Sequence, residues 1–350
     1  MGKVVHGGDI YRNQVIYDFS VNVNPLGVPE RVRQSMEAAL GDCECYPDPL
    51  AEKLRTALAQ KDGVKEEQIV FGNGASELFF GIVHALKPKK VLIPIPSFFE
   101  YEKSALAVGA EVIYHRLSGK REFVLDKEIF PGLSEDIDLL YLANPNNPNG
   151  RLMDREILLS ILRICRERGI RVVLDECFLE LTTAGTTGSM LPELENYPNL
   201  ILVRAFTKTY ALPGVRLGYL CCADPEVVCA LESHLPDWNL SVFAQAAGVA
   251  ACKEAAYVEQ AVRLIERERE FCKKSLEQMG FCVCSSDVNF LLFRADIPLD
   301  EVLLKRGILI RNCSNYPGLG QGYFRIAVKR PEENRMLMKV IAQVVNFPGL

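Results

Sequence analysis

LILVRAFTKTYALPGVRLGY, residues 200–219, sets an apolar run against a charge. Leu200–Val203 read as a buried strand, and Lys208 follows almost at once among Ala, Phe, Thr and Tyr. Desolvating an ammonium disfavours its charged form and lowers its pKa. Lys208 is therefore either a solvated strand end or an amine placed to react. A desolvated lysine near a second cation is nucleophilic toward carbonyls, and Arg216 lies eight residues on.

Outward from this stretch the chain repeats strand, turn and helix. QIVF (68–71) leads through GNGAS to ELFFGIVHAL, and KVLIPIP (90–96) leads to SFFEYEKSALAVG. DLLYLANP (138–145) is followed by NNPNG and the amphipathic DREILLSILRICRERG, and RVVLDE (171–176) and LGYLCC (217–222) are further β-rich runs. Apolar strands alternating with helices predict an α/β fold with a mostly parallel sheet between helices. After about residue 236 the pattern changes. LSVFAQAAGVAACKEAAYVEQAVRLIERERE predicts a long helix; FCVCS, NFLLFRA, GILIRNC and YFRIAVK predict strands, and RPEENRMLMKVIAQVVNF a last helix. The expected organisation is an N-terminal arm (1–30), a large domain (31–235) and a smaller α+β C-terminal domain (236–350).

Net charge is −5 with both signs interleaved, which points away from nucleic acid and anionic membranes. The N-terminus has no signal-peptide core and no run of eighteen apolar residues occurs, so a cytoplasmic protein is expected. The twelve cysteines form no C-x-x-C pair and histidines number four, so no metal is expected and the thiols read as reduced core residues.

In parallel α/β sheets ligands bind beyond the carboxyl ends of the strands, where the unusual polar residues fall. Gly72–Ser76 opens a helix whose free N–H groups suit a phosphate, or is simply a tight strand–helix turn. Glu77 replaces the third glycine of a dinucleotide fingerprint, and no Walker loop occurs. NPNNPNG (144–150) is built of turn formers. Asp175 either caps a helix or is a buried carboxylate that needs a partner. A phosphate cradle, a buried acid and an amine on successive strands together suit pyridoxal phosphate, which needs a lysine for its Schiff base, an acid at its pyridine nitrogen and a phosphate site.

NPNNPNG, DECF (175–178) and TKTYALPGVRLGY (207–219), at these separations, resemble the fold-type I pyridoxal-phosphate enzymes of the aspartate aminotransferase superfamily. Within it the chain resembles the histidinol-phosphate aminotransferase group. HGGDI (6–10), DFSVNVNPLG (18–27) and ILIRNCSNYPGLGQGYFRIAVK (308–329) resemble more closely the threonine-phosphate decarboxylases of cobalamin biosynthesis. The resemblance implies that Lys208 forms the Schiff base, Asp175 pairs with the pyridinium nitrogen and Asn147 bonds the ring hydroxyl. It implies that Phe98 stacks on the ring and that Gly74, Ala75, Ser76, Thr207 and Arg216 hold the phosphate. Tyr46 would reach the phosphate of a neighbouring subunit, implying a homodimer with shared active sites. His6, Asn24, Arg311 and Arg325 would bind the anionic groups of a small phosphorylated amino acid. Three positions depart from the aminotransferase pattern: Phe178 stands for a tyrosine, Asn149 for a threonine and Thr207 for a serine. The implied reaction is decarboxylation of O-phospho-L-threonine to (R)-1-amino-2-propanol phosphate. The alternative is a histidinol-phosphate-type aminotransferase using 2-oxoglutarate, and side-chain identity does not say which bond at Cα is broken.

Overall fold

The computed structural model describes residues 6–346, so the first five residues of the expected arm and the last four of the expected C-terminal domain lie outside it. The chain enters through a two-residue strand, β1 (Tyr17–Asp18), and two helices, α1 (Glu30–Ala38) and α2 (Glu52–Asp62). The alternation follows: β2 (Ile69–Gly72), α3 (Ala75–Leu86), β3 (Lys90–Ile95), α4 (Phe99–Ala107), β4 (Glu111–Arg116), β5 (Leu139–Ala143), α5 (Arg155–Glu167), β6 (Arg171–Asp175) and β7 (Leu200–Ala205). A one-turn helix, α6 (Phe206–Thr209), leads to β8 (Gly218–Cys222) and α7 (Pro225–His234).

These strands form one seven-stranded sheet in the order β2-β8-β7-β6-β5-β3-β4. From β7 to β4 all neighbours are parallel, whereas β8 runs antiparallel to both β7 and β2. A parallel crossover needs a dozen or more residues, usually with a full helix. The single turn of α6 supplies none, so β8 doubles back. Strand side chains alternate between two cores: Leu140, Leu142, Val172 and Leu174 pack on one face, Leu139, Tyr141 and Val173 on the other. Each fully buried Val, Leu or Ile contributes about 1.5–3 kcal/mol. β4 was not predicted, because EVIYHR is an edge strand with half-exposed, partly polar residues rather than an apolar run.

The predicted long helix after residue 236 is two helices, α8 (Val242–Ala251) and α9 (Ala255–Gln278). Ala244, Ala247 and Ala251 of α8 pack with Leu54 and Leu58 of α2. The 24 residues of α9 span about 36 Å; Ala261 and Ile265 join the core of the large sheet, while Cys272 and Leu276 join that of a second sheet. That second part comprises β9 (Cys282–Val283), β10 (Phe290–Arg294), α10 (Leu299–Leu304), β11 (Ile308–Leu309), β12 (Arg311–Asn312), β13 (Tyr323–Ala327) and α11 (Pro331–Asn346). Its antiparallel sheet has the order β12-β13-β10-β9.

The arm ties the two parts together. β1 pairs in parallel with β11, and the Phe19 N–H donates to the Leu309 carbonyl at 2.7 Å. The Phe19 ring is buried with Leu291, Phe293 and Ile326. Five residues later the Asn24 N–H donates to the carbonyl of Lys208 at 3.0 Å. No helix among the described residues is long and apolar enough to cross a membrane.

Candidate active site

A cavity of about 410 Å³ lies where the carboxyl ends of β5, β6 and β7 face the second sheet. Lys208 projects into it from α6. Its Nζ has no hydrogen-bond or ion-pair partner among the described residues and sits 5.7 Å from the centre of the Phe178 ring. Burial lowers its pKa to about 8, helped by the guanidiniums of Arg325 and Arg216. The turn that carries it is clamped from behind, where the Asn24 amide donates to the Thr209 carbonyl at 2.8 Å. Asn24 is thus buried beneath the site and does not line the cavity.

Asp175 ends β6 and is held by two donors. The Tyr101 hydroxyl donates to its Oδ2 at 2.6 Å and the Cys177 N–H to its Oδ1 at 2.8 Å. Burial raises the Asp175 pKa, opposed by those hydrogen bonds and by Lys208. A carboxyl so poised is completed by a cationic N–H in the cavity. Tyr101 is itself locked, stacked on Tyr141 at 4.9 Å. No sequence signal marked Tyr101, since its partner lies 74 residues away.

Ala75 and Ser76 open α3 at the cavity wall, with Thr207 and Arg216 beside them. The free N–H groups of that first turn and a guanidinium form an anion cradle. Gly74 is required there: its φ is +77°, and a Cβ would come within 2.3 Å of Arg216 Nη2. Phe98 and Cys177 line the same space. Asn147 accepts at Oδ1 from Arg325 Nη1 at 2.5 Å and from the Tyr316 hydroxyl at 3.4 Å, which leaves its amide N–H groups for a ligand. Asn149 does not line the cavity; it braces its loop, donating to the carbonyls of Glu122 and Phe123 at 2.9 Å each.

Across the cavity, Arg311 and Arg325 are direct partners in the antiparallel β12–β13 pair. Residues opposite each other share a face, and like charges so placed repel, so the pair favours an anion between them. Arg325 donates to the Ser20 carbonyl at 3.1 Å and, with the Asn22 amide turned to present its oxygen, to Asn22 at 3.2 Å. Arg311 lies over Phe99 and Tyr316, 5.6 and 5.4 Å from their ring centres. His6 lines the cavity against the edge of Phe99, and burial holds its pKa below the usual value while Glu100 pulls the other way. Ser20, Asn22, Glu100 and Tyr316 were not anticipated, because nothing local in the sequence marks them. Tyr46 does not line this cavity; it is 81 % exposed and packs at a tilt against Trp238, ring centres 4.9 Å apart.

The residues present fit pyridoxal phosphate: an anion cradle, a buried carboxyl, a free amide and a partnerless amine surround one cavity. Comparison with known proteins agrees. The profile of the family described as aminotransferase class I and II matches residues 14–341. Threonine-phosphate decarboxylase of Salmonella typhimurium is 33% identical over 97% of this chain and 96% of its own. A putative threonine-phosphate decarboxylase of Caldanaerobacter subterraneus is 37% identical over 96% of this chain and 92% of its own. Among solved structures, histidinol-phosphate aminotransferase of Clostridium acetobutylicum superposes with a TM-score of 0.89 at 32% identity, covering 95% of this chain and 99% of that one. A match of such length, over a chain whose cavity carries the expected lysine and aspartate, makes this protein a member of the pyridoxal-phosphate-dependent class I and II aminotransferase family.

Proposed function

We propose that the protein decarboxylates O-phospho-L-threonine to (R)-1-amino-2-propanol phosphate and CO₂. The observation that carries the reading is the Arg311–Arg325 pair, two fixed guanidiniums facing the cavity that holds Lys208. A substrate with both a carboxylate and a phosphate satisfies two such forks. The two decarboxylase relatives support it.

Bound pyridoxal phosphate supplies an electron sink for the substrate Cα. Asp175 would pair with its ring nitrogen, Asn147 with its ring hydroxyl and Phe98 with its ring face. Ala75, Ser76, Thr207 and Arg216 would hold its phosphate. With a pKa near 8, Lys208 Nζ takes up and releases a proton near neutral pH. Phe178 brings no hydroxyl to the ring. Binding energy from the substrate phosphate is available to orient the scissile bond.

The structural likeness to a histidinol-phosphate aminotransferase supports a second reading, transamination with 2-oxoglutarate. Histidinol phosphate carries no carboxylate, and would leave one of the paired guanidiniums without an anion. We also propose a cytoplasmic homodimer in which Tyr46 completes the phosphate site of the partner. The exposed Tyr46 ring packs against the exposed Trp238, with Leu50 nearby, an apolar surface that favours such a contact. The deciding experiment incubates the cofactor-loaded protein with O-phospho-L-threonine and 2-oxoglutarate and assays CO₂ and glutamate together. CO₂ without glutamate is expected; glutamate without CO₂ would select the aminotransferase.

A further inference from the structure

We infer that Glu100 reads a protonated phosphate oxygen of the substrate, so that the cavity selects phosphate monoesters over sulfate esters and dicarboxylates. The inference rests on the phospho-amino-acid reading above. Glu100 stands in the first turn of α4, lines the cavity and is only 7 % exposed. An acid is out of place in a cavity for anions unless the ligand brings it a proton. Its carboxylate accepts no hydrogen bond from the described residues. Its nearest basic neighbours, the His6 ring at 3.7 Å and the Lys103 ammonium at 3.6 Å, stand beyond hydrogen-bond distance, and Lys103 extends into solvent. The Glu100 oxygens are open to the cavity it lines, where a ligand can bring the donor.

Few anions carry one. Carboxylates and sulfate esters are fully deprotonated near neutral pH, whereas a phosphate monoester, with a second pKa of about 6, keeps a P–OH in an appreciable fraction. The charges agree. Apart from Asp175, Lys208 and Arg216, which face the cofactor's place, the cavity presents Arg311, Arg325, His6 and Glu100, with Lys103 at its edge. The Lys103 ammonium balances Glu100, and two guanidiniums remain for a carboxylate and a singly charged phosphate.

The test titrates cofactor-loaded protein, whose own phosphate cradle is filled, with inorganic phosphate and with inorganic sulfate by calorimetry at about pH 6.5. Wild type should bind phosphate about tenfold to a hundredfold more tightly than sulfate, the range of a hydrogen bond to a charged group. In Glu100→Gln, whose amide can donate, phosphate should weaken and sulfate strengthen, bringing the ratio close to one. Glu100→Ala should also level the ratio, without strengthening sulfate, which separates loss of the acceptor from a rearrangement peculiar to glutamine. A ratio unchanged in both variants, a wild type that does not discriminate, or one that binds neither anion overturns the inference. Neither probe is an amino acid, so the outcome is distinct from the CO₂ assay. A levelled ratio without CO₂ keeps Glu100 as the phosphate reader and removes phosphothreonine as substrate; CO₂ with an unchanged ratio does the reverse.

Discussion

Two clusters of charge meet at the ends of β6 and β7, and consecutive residues serve them. Asp175 belongs to the cavity, while Glu176 binds Arg204, whose Nη2 donates to its Oε2 at 2.9 Å and to Ser189 Oγ at 2.7 Å. Arg204 also meets Asp62, which accepts from the Tyr219 hydroxyl at 2.5 Å and from Lys61 Nζ at 2.9 Å, and Lys61 reaches Glu180 at 2.6 Å. Burial pulls the Lys61 pKa down, but Glu180 and Asp62 outweigh it and hold the pKa above its ordinary value. Lys208, without such partners, falls to about 8. The comparison teaches that burial of a charge does not mark a reactive site; a charge whose partners are missing does.

The largest effect that would break this contrast is at Lys208. Lys208→Ala should lose turnover on the order of 10⁴-fold together with the visible absorbance of the bound cofactor. Normal turnover would place the chemistry elsewhere. Arg204→Leu should cost about 3–5 kcal/mol in denaturant unfolding, because Glu176 and Asp62 are left buried without their cation. A cost below about 1 kcal/mol would mean that the second cluster is not closed.

Removing the cofactor sharpens the contrast through pH. The folded pKa of Lys208 lies below that of the unfolded chain, so the unfolded state binds more protons between about pH 8 and about pH 10.4. Stability of the cofactor-free protein should therefore rise across that window. Lys208→Met should be the more stable protein at pH 7, by on the order of 3 kcal/mol at most, and this advantage should fade above about pH 10.4. Thermal melts of both proteins from neutral to alkaline pH check the sign. Smallest are the effects at the two tyrosines that each donate to an aspartate. Tyr101→Phe should weaken cofactor binding by about tenfold, and Tyr219→Phe should cost about 1 kcal/mol of stability while leaving cofactor affinity unchanged. Spectral titration with cofactor distinguishes them.

The parts of this arrangement that depend on neighbours in the chain were legible in the sequence. Strand ends carrying Asp175 and Lys208, the GNGAS turn and the asparagine-rich loop each announce themselves by an apolar run followed by an unusual polar residue. β8 reads equally well as a strand in either direction, because its residues are buried on both faces and only the length of the preceding link reverses it. The break between α8 and α9 was hidden by a run that stays helix-forming throughout. Contacts between distant segments left no trace: Tyr101 with Asp175, Asn22 with Arg325, and the Asn24 amide with the Thr209 carbonyl.

The clasp between Ser20 and Arg325 joins residues 305 positions apart. Loop-closure entropy must be met before so remote a contact returns anything, and contacts of this kind form late in folding. The cofactor's cradle draws on Ala75 to Arg216, whereas the substrate's wall needs both early and late segments of the chain to come together. During refolding the protein should therefore recover its grip on the cofactor before its grip on the substrate. Stopped-flow measurement of the two recoveries would show that interval directly, and simultaneous recovery would show that the clasp forms early after all.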